Sequence, residues 1–183
     1  MLAPTFGRIA IDRIEPQSYR EILRAWCAQR EGQPIPEKDR IDPFLVPALA
    51  GNLILYEVSG EDFVFRVVGE KVLTAVGANL RGMTLRQALG DRPYRHMIER
   101  QLSECAACGV PLYSRHDFHI GDDASLSVSH NRRAWRIALP YGEAGRVTRL
   151  LCYQLFSKDF TARAPQDVDF EALLPKTVFK IDV

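Results

Sequence analysis

The sequence lacks the features that mark several specialised classes of protein. No segment approaches the roughly 18 uninterrupted apolar residues of a membrane-spanning helix, and Arg8, Asp12 and Arg13 interrupt the N-terminus where a secretory signal would be apolar. With 4 cysteines in 183 residues there is no disulfide scaffold, so we expect reduced thiols. The 24 Lys and Arg residues barely exceed the 23 Asp and Glu residues, unlike the basic excess of nucleic-acid binders. We therefore predict a cytoplasmic protein that binds neither membrane nor nucleic acid.

Motifs for catalysis and metal binding are also missing. There is no GxSxG, GxxxxGK or GxGxxG, so we predict no catalytic residues and no enzyme activity. Cys105 and Cys108 form a CxxC, but it falls at the C-terminus of a predicted helix, where the dipole does not favour a thiolate. His116 and His119 are three apart on a predicted strand, which puts their rings on opposite faces. We predict no metal site and leave the cofactor unknown.

What is present fits one soluble domain. The chain is 46% hydrophobic and 26% charged, and its length suffices for one sizeable core. We expect a leader at 1–17, the domain at 18–160 and a tail at 161–183.

Periodicity predicts a leading helix over 18–30. Tyr19, Ile22, Leu23 and Trp26 form one apolar stripe, and Ser18 with Glu21 fits a capping box. Further helices are predicted over 69–77, 84–90 and 91–109, and strands over 52–58, 63–68, 110–120, 133–139 and 147–156.

This order of elements predicts an α+β fold. We expect a single five-stranded antiparallel sheet with the central helices on one face and the amphipathic N-terminal helix on the other. The most apolar strand, 147–156, is expected in mid-sheet beside 52–58.

The order of elements and a set of short motifs resemble the PAS fold, and more specifically a bacterial family of small stand-alone PAS-domain proteins. The residues that carry the resemblance are Trp26, Arg40-Ile-Asp-Pro43, Phe65-Arg-Val-Val-Gly69, Gly77-Ala-Asn-Leu-Arg-Gly82 and Leu139-Pro140. Glu70 departs from the small residue expected after Gly69. The resemblance covers roughly residues 18–160.

The resemblance implies a non-enzymatic sensory or protein-interaction module with a small cavity between the central helices and the sheet. PAS cavities hold haem, flavins, small acids or nothing, so the resemblance names no ligand. Because haem-binding PAS sensors use a helical histidine, the resemblance makes His96 the one candidate haem ligand. The residues we expect to line this ligand pocket are Tyr56, Phe65, Tyr94, Ile98, Tyr113, Trp135 and Tyr153. The alternative is that these side chains simply fill the core.

Two further features leave alternatives open. Arg66 and Arg136 lie on strands opposite the aromatic sides, where they either bind an anion or are solvated. Apolar residues of the leader and tail either form an interface, as exposed apolar patches do, or pack on their own sheet; they are Ile9, Ile11, Phe170, Leu173, Leu174, Phe179 and Ile181.

The preferred function is a PAS-type signalling module that acts by contact with a protein partner, as a homodimer, and that a small-molecule ligand gates. The alternatives are a small cofactor-free enzyme of the isomerase or hydratase kind, and a structural adaptor whose pocket is filled by its own side chains. An enzyme would need an acid or histidine base facing the pocket.

Overall fold

One mixed sheet organises the fold, which a computed structural model describes for residues 5–91, 93–120, 130–156 and 177–183. The strands are β1 (Thr5–Ala10), β2 (Leu53–Ser59), β3 (Asp62–Val68), β4 (Leu112–Ile120), β5 (His130–Glu143), β6 (Arg146–Phe156) and β7 (Thr177–Asp182). The helices are α1 (Gln17–Gln29), α2 (Glu70–Val76), α3 (Leu85–Leu89) and α4 (Pro93–Cys108). The strand order is β1-β7-β4-β5-β6-β2-β3. None of the helices in the described ranges is long and apolar enough to cross a membrane.

The expected five-stranded antiparallel sheet is wrong in strand number and direction. β7 pairs antiparallel with β4, and β1 then pairs parallel with β7, from Thr5 opposite Thr177 to Ala10 opposite Asp182. The two ends of the chain extend the sheet because each of them satisfies backbone groups that an edge strand would leave unpaired.

Apolar residues of the leader and tail pack on this same sheet. Ile181 is 2% exposed, and Ile9, Ile11 and Phe179 pack against the core. The remaining tail residues of this set, Phe170, Leu173 and Leu174, lie outside the described residues.

The predicted position of the most apolar strand is confirmed. β6 lies between β5 and β2, and its Leu150 and Leu151 are both fully buried although they face opposite sides. A strand covered on both faces must be apolar throughout, which is why this segment has no polar alternation.

Helix α1 buries the predicted stripe completely, since Tyr19, Ile22, Leu23 and Trp26 are all 0% exposed. The Tyr19 hydroxyl donates to a pair of strand carbonyls, 2.8 Å from Tyr153 O and 3.0 Å from Trp135 O. The Trp26 indole Nε1 donates to Pro140 O at 2.9 Å. These bonds fix α1 across β5 and β6.

The capping box predicted at the start of α1 is wrong. The helix begins at Gln17 with Pro16 as its N-cap, and no side chain caps it. Glu21 instead accepts a hydrogen bond from the Gln17 side chain at 3.2 Å. A proline is suited to this boundary because its fixed φ is preorganised and it has no N–H to satisfy.

The predicted central helices are confirmed. Gly77 ends α2 in the left-handed region, with φ 72°, a conformation that favours glycine. Thr84 begins α3 with a complete capping box, in which Gln87 N donates to the Thr84 hydroxyl and the Gln87 side chain accepts from Thr84 N. Met97, Ile98, Leu102 and Cys105 form the buried stripe of α4.

Candidate functional site

The seven predicted pocket residues divide between the two faces of the sheet. The Arg136 side chain bonds to α4, so its neighbour Ile137 faces the other way, since side chains alternate along a strand. Tyr113 and Tyr153 are the register partners of Ile137 on either side, and paired residues share a face. Tyr113, Trp135 and Tyr153 therefore lie on the α1 face of the sheet.

The other four, Tyr56, Phe65, Tyr94 and Ile98, lie between the sheet and α4. The Tyr56 and Phe65 rings are 4.9 Å apart between centroids and tilted by 51°. Tyr56 is 5% exposed and Phe65 2%, and burial raises the pKa of Tyr56 well above its usual value. The two rings contact each other and are shielded from water. Aromatic side chains therefore fill this part of the layer.

Beside the rings is a polar group that we call the inner cluster: Tyr94, Gln101 and Arg136. Arg136 Nη2 donates to the Tyr94 hydroxyl at 2.7 Å, and Arg136 Nη1 donates to Gln101 Oε1 at 3.3 Å. The guanidinium carbon also lies 5.7 Å from the centroid of the Tyr94 ring. Of the two strand arginines for which anion binding or solvation was open, Arg136 is only partly exposed, because α4 covers this face of β5.

Arg66, the other strand arginine considered from the sequence, is solvated. Its side chain is 48% exposed and pairs with Glu57 at 2.7 Å. The hydrogen bond from Arg66 lowers the pKa of Glu57.

The inner cluster contains a donor without an acceptor. Gln101 is 4% exposed, its Oε1 is taken by Arg136, and its Nε2 is buried with no hydrogen-bond partner among the described residues. Within those residues Arg136 also makes no ion pair with a carboxylate. Gln101 was not singled out from the sequence, although it lies seven residues after Tyr94, the spacing of two helical turns on one face.

The outward side of α4 carries an ion network. Arg95 is only 8% exposed and pairs with Glu99 and Asp91, while Arg86 from α3 pairs with Glu99 at 2.9 Å. Hydrogen bonds from Arg95 and His96 lower the pKa of Asp91. His96 is 57% exposed and lies 2.7 Å from Asp91, so it faces away from the layer in which a haem would be enclosed.

The thiols of the CxxC lie at the C-terminus of α4, as predicted. Cys105 is fully buried and burial raises its pKa well above the usual value. Cys105 and Cys108 both donate to Val110 O, at 3.4 Å and 3.8 Å. Within the described part of the chain, no group of three or more His, Cys, Asp or Glu could hold a metal ion.

A cleft of about 890 Å³, which we call the α4 groove, lies between α4 and the turns of the β2–β3 and β5–β6 hairpins. This volume is in the range of roughly 300–1,000 Å³ that ligand sites occupy. Its apolar side includes Ile35, Phe63 and Val147, all buried. Its wall also includes Ser103, Ala106 and Ala107, and its acidic, basic and histidine residues are Glu61, Arg86, His96, Glu99, Arg100 and Arg146.

None of the seven predicted pocket residues lines the α4 groove. The groove forms where two hairpin turns pack near one helix. These segments are far apart in the sequence, so no local sequence pattern predicts that they lie together. The structure thus contains two separate candidate regions, the inner cluster on one side of α4 and the groove on the other.

Comparison with solved structures finds similar chains at low sequence identity. The PAS domain from Bordetella pertussis BvgS is 15% identical, with 82% of this chain and 90% of that chain covered and a TM-score of 0.42. An RNA-binding light-oxygen-voltage receptor is 20% identical, with 75% of this chain and 39% of that chain covered and a TM-score of 0.39. No curated protein matches the chain.

The match to a family model is what decides the family. The model described as "PAS domain" matches residues 14–128, more than half of the chain. That match includes α1 with Trp26, the β2–β3 hairpin, the central helices and all of β4. It confirms the resemblance drawn from the motifs, and the chain belongs to the PAS domain family.

Proposed function

We propose that this PAS domain is a regulatory module that acts by binding another protein in the α4 groove. The observation that carries the proposal is the groove itself. Its side formed by Ile35, Phe63 and Val147 is apolar, and its edge is charged. An apolar centre with a polar rim is the usual composition of a protein interface.

The groove also offers room and charge to a partner. Ser103 and Ala107 are exposed small residues of α4, so a partner's backbone can approach the helix closely. Among the described residues, Arg100 and Arg146 form no ion pair with an acidic side chain, which leaves both cations available at the rim.

A small-molecule ligand that gates this contact is the second part of the proposal. Four of the predicted pocket residues, Tyr56, Phe65, Tyr94 and Ile98, lie in the layer between the sheet and α4. α4 also forms one wall of the groove, so a ligand in that layer could act on the contact surface. It would do so only if it binds two states of the protein differently.

The burial of Tyr56 and Phe65 favours one alternative, a structural adaptor with a filled core. Two rings in contact occupy space that a ligand would otherwise take. An adaptor would bind its partner with the same affinity whether or not small molecules are present.

The third function, a cofactor-free enzyme, has less support. Among the described residues, the buried polar or charged side chains are Asn52, Arg95, Gln101 and Ser114, and none of them is the acid or histidine base that an isomerase or hydratase needs. That the chain is not an enzyme stays a prediction.

Photocrosslinking in cells tests the contact. A photoreactive phenylalanine analogue replaces Ala107 in the groove or, as a matched control, Ala28, an exposed alanine of α1. We expect a discrete crosslinked protein from position 107 and none from position 28. No crosslink at 107, or the same products at both positions, would contradict binding in the groove.

The homodimer, the absence of nucleic-acid binding and the cytoplasmic location also stay predictions. Native mass spectrometry of the purified chain addresses the first, since a dimer has twice the 20.7 kDa mass of one chain. The same spectrum detects a retained small molecule as an extra mass that is lost on denaturation.

A further inference from the structure

We propose that the α4 groove binds an amphipathic helix of a second protein, and that this helix carries acidic residues on both sides of its apolar stripe. The inference rests on the proposed function, because it names the kind of protein segment that the groove would bind.

The acidic residues of the groove are already compensated by cations of the chain itself. Glu99 is paired with two guanidinium groups, those of Arg86 and Arg95. Glu61, the other acidic residue that lines the groove, interacts electrostatically with Arg86. The groove therefore offers little negative charge to a partner.

Two cations of the groove are not compensated in this way. Arg100 and Arg146 are exposed, and neither pairs with a carboxylate among the described residues. The guanidinium carbon of Arg100 lies 5.8 Å from the centroid of the Phe6 ring, a contact that leaves the charge of Arg100 without a counter-ion. Arg100 belongs to α4 and Arg146 to the β5–β6 hairpin, so the two charges lie on different walls of the groove. Acidic side chains on both flanks of a partner complement them.

The groove also has apolar surface that water reaches. Val58 and Ala106 line it and are only partly buried, beside the buried Phe63 and Val147. Covering this surface with apolar side chains of a partner is favourable. The partner segment must therefore present apolar and acidic side chains on one face.

The borders of the groove favour a helix over the other common conformations of a bound peptide. An added strand needs the free edge of a sheet, whereas this groove is bordered by α4 and by hairpin turns at Gly60 and Gly145. A proline-rich segment needs a surface lined with aromatic rings, and Phe63 is the one Phe, Tyr or Trp among the described residues that line the groove. An amphipathic helix laid into an apolar groove fits these borders.

Two probe peptides test this preference on the whole chain. Each has about 18 residues, enough to form a helix, and both carry the same stripe of leucines, flanked by glutamate in one peptide and by lysine in the other. Fluorescence anisotropy measures the Kd of each. We expect the glutamate peptide to bind at least about tenfold more tightly, with a Kd that rises as salt is added. Equal Kd values, tighter binding of the lysine peptide, or no binding of either would overturn the proposal.

Charge reversal locates the preference. The double variant Arg100→Glu with Arg146→Glu should bind the lysine peptide more tightly than the glutamate peptide, a reversal that loss of the fold would not produce. Arg13→Glu with Arg24→Glu is the matched control, because it changes the net charge equally at exposed positions outside the groove, and it should keep the wild-type preference. A double variant that still prefers the glutamate peptide would contradict the inference. A groove occupied by a second copy of the chain would also contradict it, and native mass spectrometry would then show a wild-type dimer and a monomeric double variant.

The outcome is separable from that of the proposed function. If position 107 crosslinks to a protein but the peptides bind equally, the groove binds a partner of other chemistry and only this inference fails. If the glutamate peptide binds as expected but position 107 gives no crosslink in cells, the proposed function fails and the charge preference of the groove remains.

Discussion

Arg136 Nη2 donates to the Tyr94 hydroxyl at 2.7 Å and so joins the central strand β5 to helix α4. On the opposite face of the sheet, the Tyr19 hydroxyl of α1 bonds to strand carbonyls instead. The sheet is thus covered on both faces, by the apolar stripe of α1 on one side and on the other by α4, which makes a contact with a charged side chain. This asymmetry places the candidate ligand chemistry on the α4 side.

Trp26 is predicted to be the main anchor of α1. Replacement by alanine removes a fully buried indole and its bond to Pro140 O, and we expect a loss of roughly 3–5 kcal/mol in the free energy of unfolding. Arg24→Ala, at an exposed position of the same helix, should change it by less than about 0.5 kcal/mol. Urea denaturation measures both. A loss below about 1 kcal/mol for Trp26→Ala would mean that α1 does not cover the sheet.

Gly69 is predicted to tolerate no side chain. A Cβ at this position would lie 2.5 Å from Gly51 O and 2.6 Å from Ala50 O, both backbone atoms. We expect Gly69→Ala to destabilise the fold by about 1–3 kcal/mol through overpacking. Gly51→Ala is the matched control, because its Cβ would meet only the flexible side chain of Lys71. Equal thermal stability of the two variants would contradict the close approach.

Two tyrosine substitutions compare the stability effects of removing a hydroxyl that makes hydrogen bonds and one that makes none among the described residues. Tyr19→Phe removes a hydroxyl that bonds to two carbonyls, so we expect a loss of about 1–3 kcal/mol. Tyr153→Phe removes a buried hydroxyl that has no partner among the described residues, so the stability should be unchanged or higher. Chemical denaturation gives both values, and the reverse order of the two would contradict these contacts.

Stability should fall in alkaline solution. Burial raises the pKa of Cys152 to about 12, and that of Tyr153 also to about 12. The folded protein then keeps protons that the unfolded chain loses above pH 9–10. The stability that these two groups contribute is therefore complete below that pH, and it is lost as the pH rises toward 12. One such group changes the free energy of unfolding by at most about 1.4 kcal/mol per pH unit.

The contribution of one thiol to this alkaline loss can be isolated. Cys152→Ala should flatten the decline of the free energy of unfolding between pH 9 and 12, measured by urea denaturation at each pH. An unchanged slope would show that Cys152 does not titrate in this range on unfolding.

Much of the local structure could be predicted from the sequence. The stripe of Tyr19 to Trp26, the glycine that ends α2 and the threonine that begins α3 are short-range signals, because the helix period and the cap geometry involve residues only a few positions apart. The position of β6 inside the sheet, between two other strands, could also be predicted, since a strand buried on both faces is apolar throughout.

The sheet edge and the candidate site could not be predicted in the same way. β1 and β7 pair across more than 170 residues, and no local pattern specifies such a partner. The alternation of side chains along β5 correctly predicts that Arg136 and Trp135 lie on opposite faces of the sheet. Which residues of a neighbouring strand lie on each face depends, however, on the register between the strands. Tyr113 and Tyr153 therefore could not be assigned to a face, and the partners of Arg136 could not be identified.

Once photocrosslinking at position 107 has captured a partner protein, the most direct test of the account is the affinity between that partner and the purified chain. Calorimetry compares the wild type with Ala107→Trp, which fills the α4 groove, and with Ala28→Trp, which adds the same side chain to α1. We predict that Ala107→Trp weakens binding at least about tenfold, equivalent to about 1.4 kcal/mol, and that Ala28→Trp leaves the Kd unchanged. Wild-type affinity for Ala107→Trp would contradict the claim that this PAS domain acts through the groove.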